Sequence, residues 1–168
     1  MERVYVRGHD NVQIPLTLIY KKGALKKASS KIKGKKLPDK RKLYLTSYGA
    51  YGVPSEPYFS YARLSLIDRK VIRVAEYLIN EDYIEAGRIA ASGGSAGGLL
   101  VGAVVNERPE LFQAAVLDMP FLDVVNTMLD ENLPLTTGEY KEWGNPNEKE
   151  YFNYMLSYAP YENVKKQK

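Results

Sequence analysis

Polar and apolar residues alternate along Arg3–Arg7 (RVYVR) and Gln13–Tyr20 (QIPLTLIY). A period of two is the mark of a half-buried strand. His9-Asp10-Asn11 between them predicts a hairpin turn. Lys42–Tyr48 (KLYLTSY) predicts a third strand, closing in the turn Gly49-Ala50-Tyr51-Gly52. Pro54 and Pro57 keep the next stretch irregular. The period then changes. Val71, Val74, Ala75, Leu78 and Ile79 fall at i, i+3, i+4, i+7 and i+8, which puts them on one face of a helix. Arg88–Ser92 and Gln113–Met119 are short apolar runs that predict buried strands, the second stopped by Pro120. Ala96–Asn106 is a helix rich in small residues, and Asp123–Leu129 a shorter one. Asn147–Tyr158 opens with Asn147 and carries Glu150 three residues on, a capping-box-like start to a last helix.

From residue 71 the predicted order is helix, strand, helix, strand, helix. That order specifies an α/β fold, a mostly parallel sheet with crossover helices. One place breaks the rhythm. Leu64–Ile67 also reads as helical and runs almost directly into the helix at Val71. A doubly wound sheet places a strand between two such helices, so the sheet is expected to be short of a strand. The 168 residues are the size of one domain, with no internal repeat and no linker.

Composition narrows the chemistry. There is no cysteine, which excludes disulfides, thiolate metal sites and thiol catalysis in these residues. The first residues, MERVYVRGHDNV, contain no signal-like apolar core, and no stretch approaches 18 apolar residues. The expectation is a cytoplasmic protein with no membrane partner. The net charge of +4 is unevenly spread. Residues 21–42 hold 11 of the 24 basic side chains and one of the 20 acidic ones. The remainder has 13 basic against 19 acidic residues, a mildly acidic domain carrying a basic loop. The loop has no aromatic residue to stack on bases. It reads as a solvated insertion rather than a nucleic-acid patch, although association with nucleic acid through 21–42 stands as an alternative.

The candidate chemistry lies in SGGSAGGLL, Ser92–Leu100. Gly93-Gly94-Ser95-Ala96-Gly97 fits G-x-S-x-G, the nucleophile elbow, with a predicted strand before it and a helix after. A serine on that tight turn has its hydroxyl above the sheet, and small neighbours let strand and helix approach. The helix start then offers the Ala96 N–H where an oxyanion would form. Two rivals share the residues. One is a dinucleotide fingerprint, with Ser95 in the place of the middle glycine and Asp118 twenty residues beyond Gly98. A serine there obstructs the approach of backbone to pyrophosphate. The other is a glycine-rich packing turn without chemistry. A hydrolase elbow expects an acid and then a histidine after the serine. The single histidine, His9, precedes it and reads as structural. A serine without a base is a weak nucleophile.

Longer motifs carry a resemblance. Ser47–Gly52 (SYGAYG), Phe59–Leu64 (FSYARL), GGSAGGLL, Asn106–Phe112 (NERPELF), Leu133–Pro146 (LPLTTGEYKEWGNP) and Tyr154–Val164 (YMLSYAPYENV) together resemble the catalytic domain of the prolyl oligopeptidase family of serine peptidases, in its oligopeptidase B branch. The similarity spans nearly the whole chain apart from the basic loop. It implies a partial α/β-hydrolase fold and, in that branch, cleavage of short peptides after Arg or Lys, with no cofactor and no metal. Residue by residue, Ser95 matches the nucleophile and Ala96 the backbone oxyanion donor. Tyr48 matches the tyrosine whose hydroxyl completes the oxyanion hole. Glu139 matches an acid that pairs with the basic P1 side chain, with Glu142 a further candidate. The family acid two residues after Glu139 is Lys141 here.

The resemblance also implies what is missing. Between Lys70 and Val71 the family has a few dozen further residues, including a strand and a glycine-rich loop. Its catalytic Asp and His lie in segments beyond the match to Lys168, and its β-propeller has no counterpart in these residues. The expectation is a partial peptidase domain over 1–168, inactive in isolation. An alternative is a non-catalytic remnant that binds basic peptides through Glu139 and its acidic neighbours Asp130, Glu131 and Glu142.

Overall fold

The chain is described by a computed structural model over residues 1–8, 11–20, 42–51 and 64–165, with side chains in the last stretch from Val71 onward. His9, Asp10, residues 21–41 of the basic loop and residues 52–63 lie outside the described residues.

Strands β1 (Glu2–Arg7) and β2 (Gln13–Leu18) form the expected antiparallel hairpin, with Val4 opposite Leu16 and Val6 opposite Ile14. Alternation buries Val6 and Leu18, and both join the same apolar cluster as Val74, Leu78 and Leu99. The hairpin is a sheet of its own. A second sheet, ordered β3-β4-β5, holds β3 (Leu43–Thr46), β4 (Ile89–Gly94) and β5 (Phe112–Asp118), and both pairings are parallel. Crossover helices join these strands: α1 (Leu64–Asn80) between β3 and β4, and α2 (Ala96–Glu107) between β4 and β5. The predicted α/β architecture is therefore present.

Helix α1 is continuous across Lys70–Val71, where the sequence predicts two helices almost abutting. Its buried face is Val71, Ile72, Val74, Ala75 and Leu78. Helix α2 is buried from Ala96 to Val104, because glycines at 97, 98 and 102 let neighbouring backbone close in around it. A Cβ on Gly102 would stand 2.9 Å from the Leu122 side chain and 3.0 Å from Pro160. After β5 come α3 (Val124–Leu129), α4 (Thr136–Trp143) and α5 (Lys149–Tyr158).

Two expectations are corrected. Gln113–Met119 was expected to be a buried strand. Instead Gln113–Val116 are exposed, with Val116 61% accessible and Met119 85%. The reason is position: among the described residues β5 pairs with β4 on one side alone, which leaves its other edge open. The capping box at Asn147 does not form. Helix α5 begins after Glu148, with no side-chain cap. The Asn147 amide donates instead to Glu131 Oε1 (3.2 Å) and Asn145 Oδ1 (3.1 Å).

Alternation along β3–β5 assigns Tyr44, Thr46, Ser92 and Val116 to one face of the sheet, in register. Tyr44, Thr46 and Val116 are exposed. The Tyr44 and Ser92 hydroxyls hydrogen-bond across it. Parallel sheets are ordinarily covered on both faces; no described element covers this one.

Candidate active site

Ser95 stands between β4 and α2 with φ 51 and ψ −120, in the positive-φ region that suits glycine. It is exposed, while Ala96 to Val101 behind it are buried. Its backbone is tied on every side. The Ser95 N–H donates to the Asp118 carbonyl (3.1 Å), and the Ser95 carbonyl accepts from the N–H groups of Gly98 (3.0 Å), Leu99 (3.1 Å) and Phe121 (3.0 Å). The glycines make this possible. A Cβ on Gly93 would lie 2.0 Å from the Gly97 carbonyl oxygen, and one on Gly98 would lie 2.5 Å from Pro120 Cβ. Real Cβ atoms do not approach so closely, so the turn needs glycine at both positions.

The same packing brings the loop after β3 to the start of α2. A Cβ on Gly97 would meet the Ser47 carbonyl oxygen at 2.7 Å and Tyr48 Cα at 3.3 Å. Tyr48 is partly buried against the core and its ring lies 6.4 Å from that of Tyr51. Ala96 is the first residue of α2, and a first-turn N–H has no acceptor within its own helix. Three of the sequence candidates, Ser95, Ala96 and Tyr48, are thus brought to the region of one turn. Asp118, the acid of the dinucleotide rival, lends its backbone carbonyl to Ser95.

Glu139 and Glu142 lie on α4, three residues apart, and both connect to the loop that carries Tyr48. The Tyr51 hydroxyl donates to Glu139 Oε2 (2.5 Å) and the Tyr51 N–H to Glu142 Oε1 (2.8 Å). The Trp143 indole N–H donates to Glu139 Oε2 (2.7 Å), with the Tyr51 hydroxyl oxygen 3.2 Å away. Trp143 is 2% exposed and meets both the Tyr51 ring (5.7 Å, 86°) and the Phe121 ring (5.4 Å, 70°) edge to face. Burial first, and the Glu139 hydrogen bond second, push the Tyr51 phenol far above its usual range, so it remains a donor at any ordinary pH. Sequence reasoning singled out Glu139 and missed Tyr51, Trp143 and the helix itself. The signal was present as Glu139-x-x-Glu142-Trp143, which at helical spacing gathers two acids and an indole on adjoining positions.

No group of residues among those described could hold a metal ion, and no described helix is long and apolar enough to cross a membrane. The sequence model of the prolyl oligopeptidase family matches residues 69–168. The chain belongs to the prolyl oligopeptidase family. It is 38% identical to dipeptidyl aminopeptidase BI of Pseudoxanthomonas mexicana, covering 97% of this chain and 26% of that one. It is 37% identical to protease 2 of Moraxella lacunata, over 97% of this chain and 27% of the relative. The solved oligopeptidase B of Leishmania major superposes with a TM-score of 0.81 at 34% identity, covering 99% of this chain and 26% of that one. The chain thus spans about a quarter of the length of these prolyl oligopeptidase relatives. The first alignment runs over 197 residues where this chain has 168, so that relative carries residues with no counterpart here.

Proposed function

We propose that these residues form the nucleophile, oxyanion-hole and P1-binding part of a serine peptidase that cleaves short peptides after Arg or Lys. The observation that carries the reading is Ser95 itself, exposed at positive φ on a glycine-locked strand-to-helix turn. Nothing in a packing turn requires a serine there. In the proposed step Ser95 Oγ attacks the scissile carbonyl carbon, forming the C–O bond as the carbonyl π pair moves onto oxygen. The Ala96 N–H and the Tyr48 hydroxyl donate to that oxyanion. The Ser95 proton passes to a base, then to the leaving amine as the C–N bond breaks. Glu139, with Glu142 beside it, neutralises the P1 cation. The base is an imidazole in this chemistry, and the one histidine in the sequence, His9, lies outside the described residues.

The expected result for the 168 residues is slow, stoichiometric modification by a fluorophosphonate, mapped to Ser95 by peptide mass and lost in Ser95→Ala. Turnover of an arginine amide stays at the assay floor, because removing a triad base costs several orders of magnitude. A folded protein that takes no adduct at Ser95 removes the nucleophile assignment. Brisk turnover that vanishes in Ser95→Ala removes the assignment of inactivity. A binding-only reading has one fact in its favour, the position of the lone histidine ahead of the serine. Under it Glu139 and Glu142 hold basic peptides that are never cut.

We also propose that the residues without counterpart fall between Lys70 and Val71. In support, α1 runs unbroken through the junction where the resemblance places a strand and a glycine-rich loop. Sequencing the transcript across codons 70–71 and past codon 168 tests this. An intact frame carrying the loop, the Asp and the His makes these residues an incomplete copy of a working peptidase.

A further inference from the structure

We propose that Tyr51 sets the balance between arginine and lysine in the P1 pocket, by occupying one oxygen of Glu139. The inference rests on the reading of Glu139 as the P1 acid. A carboxylate has two oxygens and about four acceptor sites. Glu139 Oε2 already accepts from the Tyr51 hydroxyl and the Trp143 indole, which fills its two sites. No bond to Oε1 is made among the described residues. A cation arriving at Glu139 therefore has one oxygen to use.

That restriction falls unequally on the two basic side chains. A guanidinium gains most from a carboxylate when its two parallel N–H groups reach both oxygens. An ammonium is a compact point charge that needs one oxygen. With Oε2 occupied, arginine loses its geometric advantage and lysine loses nothing. The donors are also neutral. Glu139 and Glu142 sit at i and i+3 on α4, a like-charge pair that is unfavourable unless compensated. Tyr51 supplies one bond to each, through its hydroxyl and its N–H, and no ion pair to either acid forms among the described residues. The two negative charges thus stay uncancelled by any described cation and available to a basic ligand. Tyr51 is a positioning residue in this account, acting on the substrate through Glu139.

The chain contains one tryptophan, Trp143, whose indole bonds the carboxylate in question, so its emission reports ligand binding directly. N-acetyl-arginine amide and N-acetyl-lysine amide are titrated into the unaltered protein, Tyr51→Phe and Glu139→Gln. The unaltered protein is expected to bind the two ligands within about twofold of one another, and Tyr51→Phe to favour arginine by about fivefold or more as Oε2 regains a free site. A general loosening of the fold would weaken both ligands and leave the ratio unmoved. An unchanged ratio in a Tyr51→Phe protein that still loses both ligands on Glu139→Gln overturns the Tyr51 proposal alone. Equal binding by Glu139→Gln, or no binding by the unaltered protein, overturns the P1 reading and the Tyr51 proposal with it. If Tyr51→Phe fails to fold, the unaltered protein still decides, since a tenfold preference for arginine in it would contradict an occupied Oε2.

Discussion

Ser95 holds a conformation that disfavours its own side chain. A non-glycine residue at φ 51 and ψ −120 carries strain on the order of 1–3 kcal/mol. Packing enforces it, since four backbone hydrogen bonds converge on Ser95. Substitution separates strain from chemistry. Ser95→Ala keeps the Cβ and the strain, and is expected to melt near the unaltered protein. Ser95→Gly removes both, and is expected to melt about 2–4 °C higher after the extra chain entropy of glycine is offset. A thermal melt of the two variants checks this; a less stable glycine variant would show that Ser95 is not strained. Gly98→Ala should behave in the opposite sense. Its methyl would lie 2.5 Å from Pro120 Cβ and 2.8 Å from Pro120 Cα, and separating α2 from the β5 exit costs about 1–3 kcal/mol as in other overpacked sites. Urea denaturation of Gly98→Ala reads that loss directly.

At the level of elements, α1 and the end of α2 are joined by a small charged cluster. Arg108 pairs with Glu76 of α1 (2.6 Å) and with Glu110 (2.5 Å). The Arg108 hydrogen bond holds the Glu110 carboxyl below the usual glutamate range. A carboxyl lowered on folding stabilises the fold above its unfolded pKa, and that contribution fades as pH falls through the folded value. The Glu110 side chain is 59% exposed, so solvent screens the pair, and Arg108→Gln is expected to cost about 1 kcal/mol or less at neutral pH. The difference from the unaltered protein should shrink below pH 4, as paired urea melts at pH 7 and pH 3.5 would reveal. Legibility also differs by element. Period located β1, β2 and the buried face of α1, where burial follows the strand or helix repeat, while β4 was marked by its apolar run and α2 by its small residues. Helix α4 was not legible. Thr136, Thr137 and Gly138 are poor helix formers, and α4 is held by contacts from elsewhere, including the Thr136 hydroxyl on the Thr127 carbonyl (3.2 Å). Strand β5 was legible as a strand and misread as buried, because an apolar run states what a strand can bury and not whether a neighbour arrives. Ser95 and Glu139 were singled out as candidates through motifs. Tyr51 was not, since its two bonds span 88 and 91 residues of sequence.

At the scale of the whole molecule, the described residues pair one well-covered side with one bare one. The hairpin, α1 and α2 share a single apolar cluster, while Tyr44, Thr46 and Val116 face outward and β5 ends the sheet. Edge strands with apolar side chains and no charge are templates for another chain, and β5 carries none between Phe112 and Leu117. For these 168 residues alone, the quantity that governs survival is then concentration more than heat. Soluble monomer should be lost faster than in proportion as the protein is concentrated, and the apparent melting temperature should fall between dilute and concentrated samples. Val116→Lys should flatten that dependence without raising the melt of the dilute sample. A bench worker handling these 168 residues would meet the bare face as a solubility ceiling.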